Sequence, residues 1–240
     1  MKKIYVLLFL LSSIMYGVTL FPMSAEITSK RERNILFTVS NPTKEPVAVE
    51  FSVLRLLDTN NNKEKRVKTT DVAYYPSQFV LAAGKSRNVR VRYLKSSLPK
   101  IEEVYRVIAK ELDIDVTDKK PSVPKNRIKA SVKFRFTYEG LLFVNNGKVY
   151  PKLEIVSFKK SANGIEIVVE NKGTKSEVLS PEDYNFIVTI NSKDYLLTKK
   201  DLKKAEFRRT LPGKSNRYIL RYIRSVPYKK ISSIRIEPKW

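Results

Sequence analysis

The sequence predicts an all-β protein made of two β-sandwiches. Three observations carry this. Short runs of apolar residues alternate with polar ones at a period of two, the signature of strands with one face buried. Turn signals built on Gly, Pro and Asn separate the runs at short intervals. The length of 240 residues suits two domains of roughly 100 residues each.

In chain order, Ile35, Phe37 and Val39 alternate with Leu36 and Thr38, and Asn41-Pro42 ends the run. Val47, Val49, Phe51 and Val53 form a second run, closed by the polar stretch from Asp58 to Lys65. Tyr75-Pro-Ser-Gln-Phe-Val-Leu81 leads to a turn at Gly84-Lys85, after which Val89, Val91 and Tyr93 alternate with Arg90 and Arg92. Val104 to Leu112 reads as a further strand with a less regular pattern. After Gly140 the pattern restarts, with a turn at Asn145-Asn-Gly147. Ile155 to Phe158 and Ile165 to Val169 flank Asn163-Gly164, a strong hairpin signal. Asn171-Lys-Gly173 and Leu211-Pro-Gly213 are turns. Phe186, Val188 and Ile190 alternate, as do Tyr218, Leu220 and Tyr222, and Ile234 and Ile236 close the chain. Asp201 to Phe207 reads as a short helix. The change of texture sets the domain boundary at 139–142, giving a first domain over 18–138 and a second over 142–240. The short linker implies two domains held at an angle with a cleft between them.

One segment stands out. In Ile128-Lys-Ala-Ser-Val-Lys-Phe-Arg135, apolar Ile128, Ala130, Val132 and Phe134 alternate strictly with Lys129, Ser131, Lys133 and Arg135. An extended strand of this sequence has one apolar edge and one cationic edge. It follows a loop-like basic run from Asp118 to Arg127. Such a strand serves either as ordinary sandwich wall or as a strand lent to a partner.

Composition narrows the function. There is no cysteine and no histidine, which excludes the commonest zinc sites and nucleophile–base pairs. No spacing points to paired carboxylates or a Ser/Lys arrangement, so neither catalysis nor a metal or other cofactor is expected. Lys2 and Lys3 followed by the mostly apolar stretch from Ile4 to Val18 read as a secretory leader, the alternative being a retained membrane anchor, for which the run is short; a cut after Gly17 fits, although Met15 is large for its position. Losing Lys2 and Lys3 lowers the formal charge from +23 to +21. Such a charge favours acidic partners or anionic surfaces, while export argues against nucleic acid. Two classes of binding protein fit the residues besides a strand donor. One is a secreted two-sandwich binding or adhesion protein, and the other is a cationic polyanion binder.

Ordered motifs over nearly all the chain after residue 17 carry a family resemblance. Phe37-Thr-Val-Ser-Asn41 comes first, followed by Tyr75-Pro-Ser-Gln-Phe-Val-Leu81 with Gly84 and Val89-Arg-Val-Arg92. Next are Leu98-Pro99 with Glu102 and Tyr105-Arg-Val107, and then the alternating strand from Ile128 to Phe136. Glu170-Asn-Lys-Gly173 and Leu211-Pro-Gly213 complete the series. The chain resembles the periplasmic chaperones of the chaperone–usher pilus pathway. The resemblance implies two immunoglobulin-like domains in a boomerang. It also implies a mechanism in which the chaperone lends a strand to a pilus subunit that lacks its own last strand, and delivers it to an outer-membrane usher. Ile128, Ala130, Val132 and Phe134 match the donor strand, and Arg135 matches the residue that binds the subunit's terminal carboxylate. The family's second cleft cation falls near Ser24 or Ala25, neither of them basic. Glu102 matches the acidic member of an interdomain salt bridge, but Glu139 occupies the place of its basic partner. The implied partners are pilus or surface-fibre subunits and the usher, in the periplasm, without a small-molecule substrate. A second copy of the free chain is a further candidate partner.

Overall fold

The computed structural model describes residues 17–60, 63–114, 116, 134–162, 164–203, 205–221 and 223–239. Its first sandwich contains ten strands. They are β1 (Thr19–Phe21), β2 (Ser24–Ile27), β3 (Asn34–Ser40), β4 (Val47–Asp58), β5 (Lys65–Lys68), β6 (Val72–Tyr75), β7 (Gln78–Leu81), β8 (Ser86–Tyr93), β9 (Glu103–Glu111) and β10 (Thr137–Val144). One sheet has the order β1-β3-β8-β6, and the facing sheet has the order β2-β10-β9-β4-β5, with β7 also on β4. The second sandwich contains β11 (Leu153–Ser161), β12 (Gly164–Asn171), β13 (Glu177–Val178), β14 (Tyr184–Ile190), β15 (Lys193–Leu196), β16 (Arg209–Thr210), β17 (Ser215–Arg221) and β18 (Ser233–Pro238). There β11-β12-β17 faces β15-β14-β18, and β13 pairs with β16 at one end.

The alternation in sequence becomes burial. Phe37, Val39, Val89, Val91 and Tyr93 point inward, whereas Leu36, Arg90 and Arg92 face out. Phe37, Phe51 and Tyr74 stack in a tilted row at the centre of the first core. Phe186, Phe207 and Tyr218 do the same in the second. Each sandwich closes one end with a buried asparagine that holds a turn. Asn41 Nδ2 donates to the carbonyls of Glu45, Leu81 and Ala82, while Oδ1 accepts from Thr43. Asn171 Nδ2 donates to the carbonyls of Lys175 and Thr210, while Oδ1 accepts from Gly173 and Lys152.

Three features go beyond or against the sequence reading. The first strand is split. β1 pairs with β3 as far as Phe21, Pro22 follows with no N–H to donate, and β2 then joins the other sheet alongside β10. The change of texture at 139–142 is not a domain break. Thr137–Val144 is one strand, and its Leu142 and Val144 lie in the first core, so the first sandwich extends to Val144. Gly140 serves close packing, since a Cβ there would lie 3.0 Å from the Met23 carbonyl oxygen. The short helix, α1, covers Lys199–Leu202, earlier than Asp201–Phe207, because Thr198 and Asp201 form a reciprocal capping box.

Asp201 is more than a cap. It is buried, and its Oδ1 accepts the N–H groups of Arg224 (2.8 Å) and Ser225 (3.1 Å), fastening α1 to the segment after β17. Burial pushes this carboxyl up, but hydrogen bonds from Ser225, Thr198 and the backbone of Arg224 and Ser225 outweigh it and hold the group well below the usual aspartate range.

The two sandwiches meet along a seam fastened at both ends. At one end, buried Glu102 accepts hydrogen bonds from Ser176 N (2.9 Å), Ser176 Oγ (2.5 Å) and Asn145 Nδ2 (3.1 Å). Its own N–H donates to the Thr174 carbonyl at 2.8 Å. The contact between domains that Glu102 makes is thus to neutral donors rather than a base. At the other end, Thr59 Oγ1 donates to the Arg209 carbonyl at 2.6 Å, and Asn216 Nδ2 reaches Thr59 Oγ1 at 3.1 Å. Between them Leu56, Val104 and Leu211 are buried with Leu141 and Phe143 packed on them.

Replacing Asp201 with Asn is expected to lower the stability of the second sandwich at pH 7 by about 2 kcal/mol in urea unfolding. A group depressed in the folded state contributes above its unfolded value and loses that contribution as pH falls. The gap between wild type and Asp201→Asn should therefore narrow below about pH 4. Glu102→Ala leaves the Ser176 N–H and hydroxyl without their acceptor, while the Asn145 amide keeps only Glu26. It is expected to cost about 3 kcal/mol and to increase protease cutting between Val144 and Leu153.

Candidate functional site

β10 is the strand on which the candidate site is built. It pairs with β9 along its whole length, from Thr137 opposite Lys110 to Val144 opposite Glu103. On its other side β2 covers only Leu141–Val144. Among the described residues, Thr137–Gly140 therefore have no ladder partner on that side. An open stretch of backbone N–H and C=O groups is a template for another strand.

The faces of β10 are set by parity. Leu142 and Val144 enter the first core and Tyr138 packs against it. Glu139, Leu141 and Phe143 lie on the outer face, where Leu141 and Phe143 reach the seam. Just before the strand, Phe134 is 69% exposed. Ile128, Ala130 and Val132, the other apolar positions of the expected donor strand, lie outside the described residues.

Arg135 donates to Asp113 Oδ1 at 2.6 Å. It precedes Leu141, which lines the cavity at the seam, by six residues, or about 20 Å along an extended strand. The structure thus places Arg135 beside Asp113 at the start of β10 and not among the residues lining the cleft.

The cleft has other cations. A cavity of about 620 Å³ opens between the outer face of the β10 sheet and the second sandwich. Lys63, Arg66, Arg106, Arg208 and Arg209 line it, with Leu56, Thr59, Glu64 and Leu141. Arg208 lies 3.7 Å from exposed Glu206, and two of the other arginines are held in a network on the sheet. Arg66 grips both oxygens of Glu139, at 2.7 and 2.6 Å, and its Nε donates to Glu64 at 2.7 Å. Arg106 clasps both oxygens of Glu64. Burial pushes the Glu64 carboxyl up, but Arg106 and then Arg66 overcome this and hold it below the usual range. The bidentate bond to Glu139 raises Arg66 in turn.

Arg209 differs from both. Its guanidinium lies 4.8 Å above the Phe143 ring and donates to the Ser176 carbonyl at 3.1 Å. It makes no ion pair among the described residues. Burial lowers its proton affinity, and the fields of Glu177 and Glu102 only partly restore it. It also lines a second cavity, of about 330 Å³, with Ser24, Ala25 and Phe143. A guanidinium from the second sandwich thus lines the same cavity as the Ser24–Ala25 segment, together with Lys175, Glu26 and Glu177. Sequence reading had no signal for this, because β16 is two residues long and the tertiary fold alone brings it to β10.

A family model described as pili and flagellar-assembly chaperone, PapD N-terminal domain, matches residues 24–144, half of the chain. No curated protein matches. Among solved structures, the chain is similar to one of the CsuC–CsuE chaperone–tip adhesion subunit pre-assembly complex from archaic chaperone–usher Csu pili of Acinetobacter baumannii. The identity is 18% and the TM-score 0.56, over 85% of this chain and 87% of that one. It is similar also to the class 5 fimbriae chaperone CfaA, with 17% identity and a TM-score of 0.55 over 93% of this chain and 99% of that one. A chaperone–tip adhesin complex of CFA/I fimbriae matches with 18% identity and a TM-score of 0.53, over 83% of this chain and 86% of that one. At these identities the structures establish the shared two-domain β fold, and the family model adds membership: the chain belongs to the PapD-type family of pilus-assembly chaperones.

Proposed function

We propose that this protein is a periplasmic chaperone that captures pilus or fimbrial subunits by lending them a strand and passes them to an outer-membrane usher, without catalysing a reaction. The observation that carries the reading is the half-open edge of β10, next to exposed Phe134 and the alternating segment that precedes it. A subunit lacking its final strand exposes an apolar groove and unpaired backbone groups. Continued in the register of β10, Ile128, Ala130, Val132 and Phe134 share one parity with Tyr138 and Leu142. All four would then face a single groove, with Lys129, Ser131 and Lys133 turned away. Burying each of the larger side chains is worth about 1.5–3 kcal/mol, set against the cost of association. Ala130 fills its position only lightly.

For the subunit's terminal carboxylate the reading offers two positions. Arg135 is the one the family resemblance indicates. Arg209 is favoured by its surroundings, since it lies in the cleft, is partly desolvated and has no acidic partner among the described residues. A guanidinium in such surroundings binds a carboxylate strongly. Arg66 and Arg106 would first have to release Glu139 and Glu64.

The test is a periplasmic pull-down of the exported protein in cells expressing fibre subunits, with mass spectrometry of the bound chains. Small β-rich subunits in stoichiometric amount are expected, and Val132→Asp should abolish their capture while leaving the protein soluble. A clean monomer in the presence of those subunits would instead favour a secreted binding or adhesion protein. With capture established, Arg209→Ala is expected to weaken it at least tenfold and Arg135→Ala to change it less. The reverse order would assign the carboxylate to Arg135.

A further inference from the structure

A third acidic group lies apart from the cleft and from the networks already described. Glu111 ends β9 and is 6% exposed. Its Oε1 accepts the Val18 N–H at 2.7 Å, and its Oε2 accepts the Phe136 N–H at 3.2 Å. Its own N–H donates to the Phe136 carbonyl at 3.0 Å. The cation nearest to Phe136 in sequence, Arg135, is turned to Asp113. Among the described residues Glu111 has no ion-pair partner. Two neutral N–H groups are a poor substitute for a counter-charge around a buried carboxylate.

The residue facing Oε1 is itself unusual in position. Val18 is fully buried, and the residue before it, Gly17, is in the left-handed region at φ 85°. A Cβ on Gly17 would come within 2.4 Å of the Phe136 ring, so the fold admits only glycine there. The Gly17–Val18 bond is also where the leader reading puts the cut.

We propose that leader removal supplies the missing cation. Hydrolysis breaks the Gly17–Val18 C–N bond. The oxygen of water goes to the Gly17 carbonyl carbon and both of its protons go to the Val18 nitrogen. The products are a carboxylate that leaves with the leader and an α-ammonium on Val18. That ammonium stands where the amide stood, 2.7 Å from a Glu111 oxygen, so a neutral hydrogen bond becomes a buried ion pair. The other Glu111 oxygen holds Phe136, one residue before β10. The pair therefore ties the new N-terminus to the root of the strand segment proposed to be lent. The mature lock is completed only after export. This inference rests on the reading of residues 1–17 as a removable leader.

The intact mass of the exported protein tests the cut. A chain beginning at Val18 is expected. A retained leader would overturn the leader reading, and a cut at another bond would overturn the ion pair alone. Thermal denaturation then tests the pair on a chain begun at Val18 by release from a fusion. Three changes are compared with it: acetylation of the α-amine, retention of Gly17, and Glu111→Gln. The first two keep an N–H for Oε1 but remove the charge from it. Each of the three is expected to lower Tm by about 5 °C or more. Acetylation of the Glu111→Gln chain should lower it little further, since both changes remove the same pair. An unchanged Tm on acetylation, or fully additive losses, would overturn the proposal. If Glu111→Gln does not fold, the acetylated and Gly17-retaining chains decide it alone.

Discussion

The pairing of β10 is the constraint on which the rest of the molecule depends. One side is fully occupied by β9, and the other is covered by β2 over Leu141–Val144 only. That asymmetry follows from the split of the first strand at Pro22, because residues in β1 are committed to the opposite sheet. It needs Gly140 at the point where Met23 crosses. The covered half of β10 sends Leu141 and Phe143 into the seam and so fixes where the second sandwich sits. Among the described residues the other half has no ladder partner on that side. Under the function proposed above, a single strand would divide between holding the two domains together and offering backbone to a partner.

The cleft wall shows how a chain of formal charge +23 distributes its cations. Arg66 and Arg106 stand on the sheet with Glu64 and Glu139 between them, a compact network that is nearly neutral as a unit. Arg209, delivered by the second sandwich, has an aromatic ring and a carbonyl for company instead of an acid. The four groups are part-buried and neutralise one another, so the network sets which guanidinium stays without an acid in hydrogen-bond contact. The surplus of positive charge elsewhere adds a field that speeds encounter with acidic partners and fades as salt rises.

Much of the fold was legible because it rests on local pattern. Alternation at Phe37–Val39 and Val89–Tyr93 marked strands that the structure contains, and the glycine turns lie where the chain reverses. The hairpin between β11 and β12 sits at the Asn163-Gly164 signal. What was not legible depends on contacts distant in sequence. The break between β1 and β2 follows from competition between two sheets. Glu102 finds Ser176 because the seam buries it there, and Glu139 belongs to Arg66, 73 residues away. Arg209 could not be singled out among 47 lysines and arginines until the cleft gave it a position.

The period of two along β10 has a consequence for insertions and deletions. From Thr137 onward the register is held by Lys110–Glu103 of β9 and by the core beneath Leu142 and Val144. If the strand proposed to be lent continues this register, the faces of Ile128 to Phe134 follow by counting back from that fixed point. Adding or removing one residue before Phe134 would leave Phe136 and its bonds to Glu111 in place and, on that reading, invert everything before it. The lysines and the serine would then turn to the side proposed for Ile128 and Val132. On that reading a change of two residues would instead slide the pattern by one step and preserve its faces.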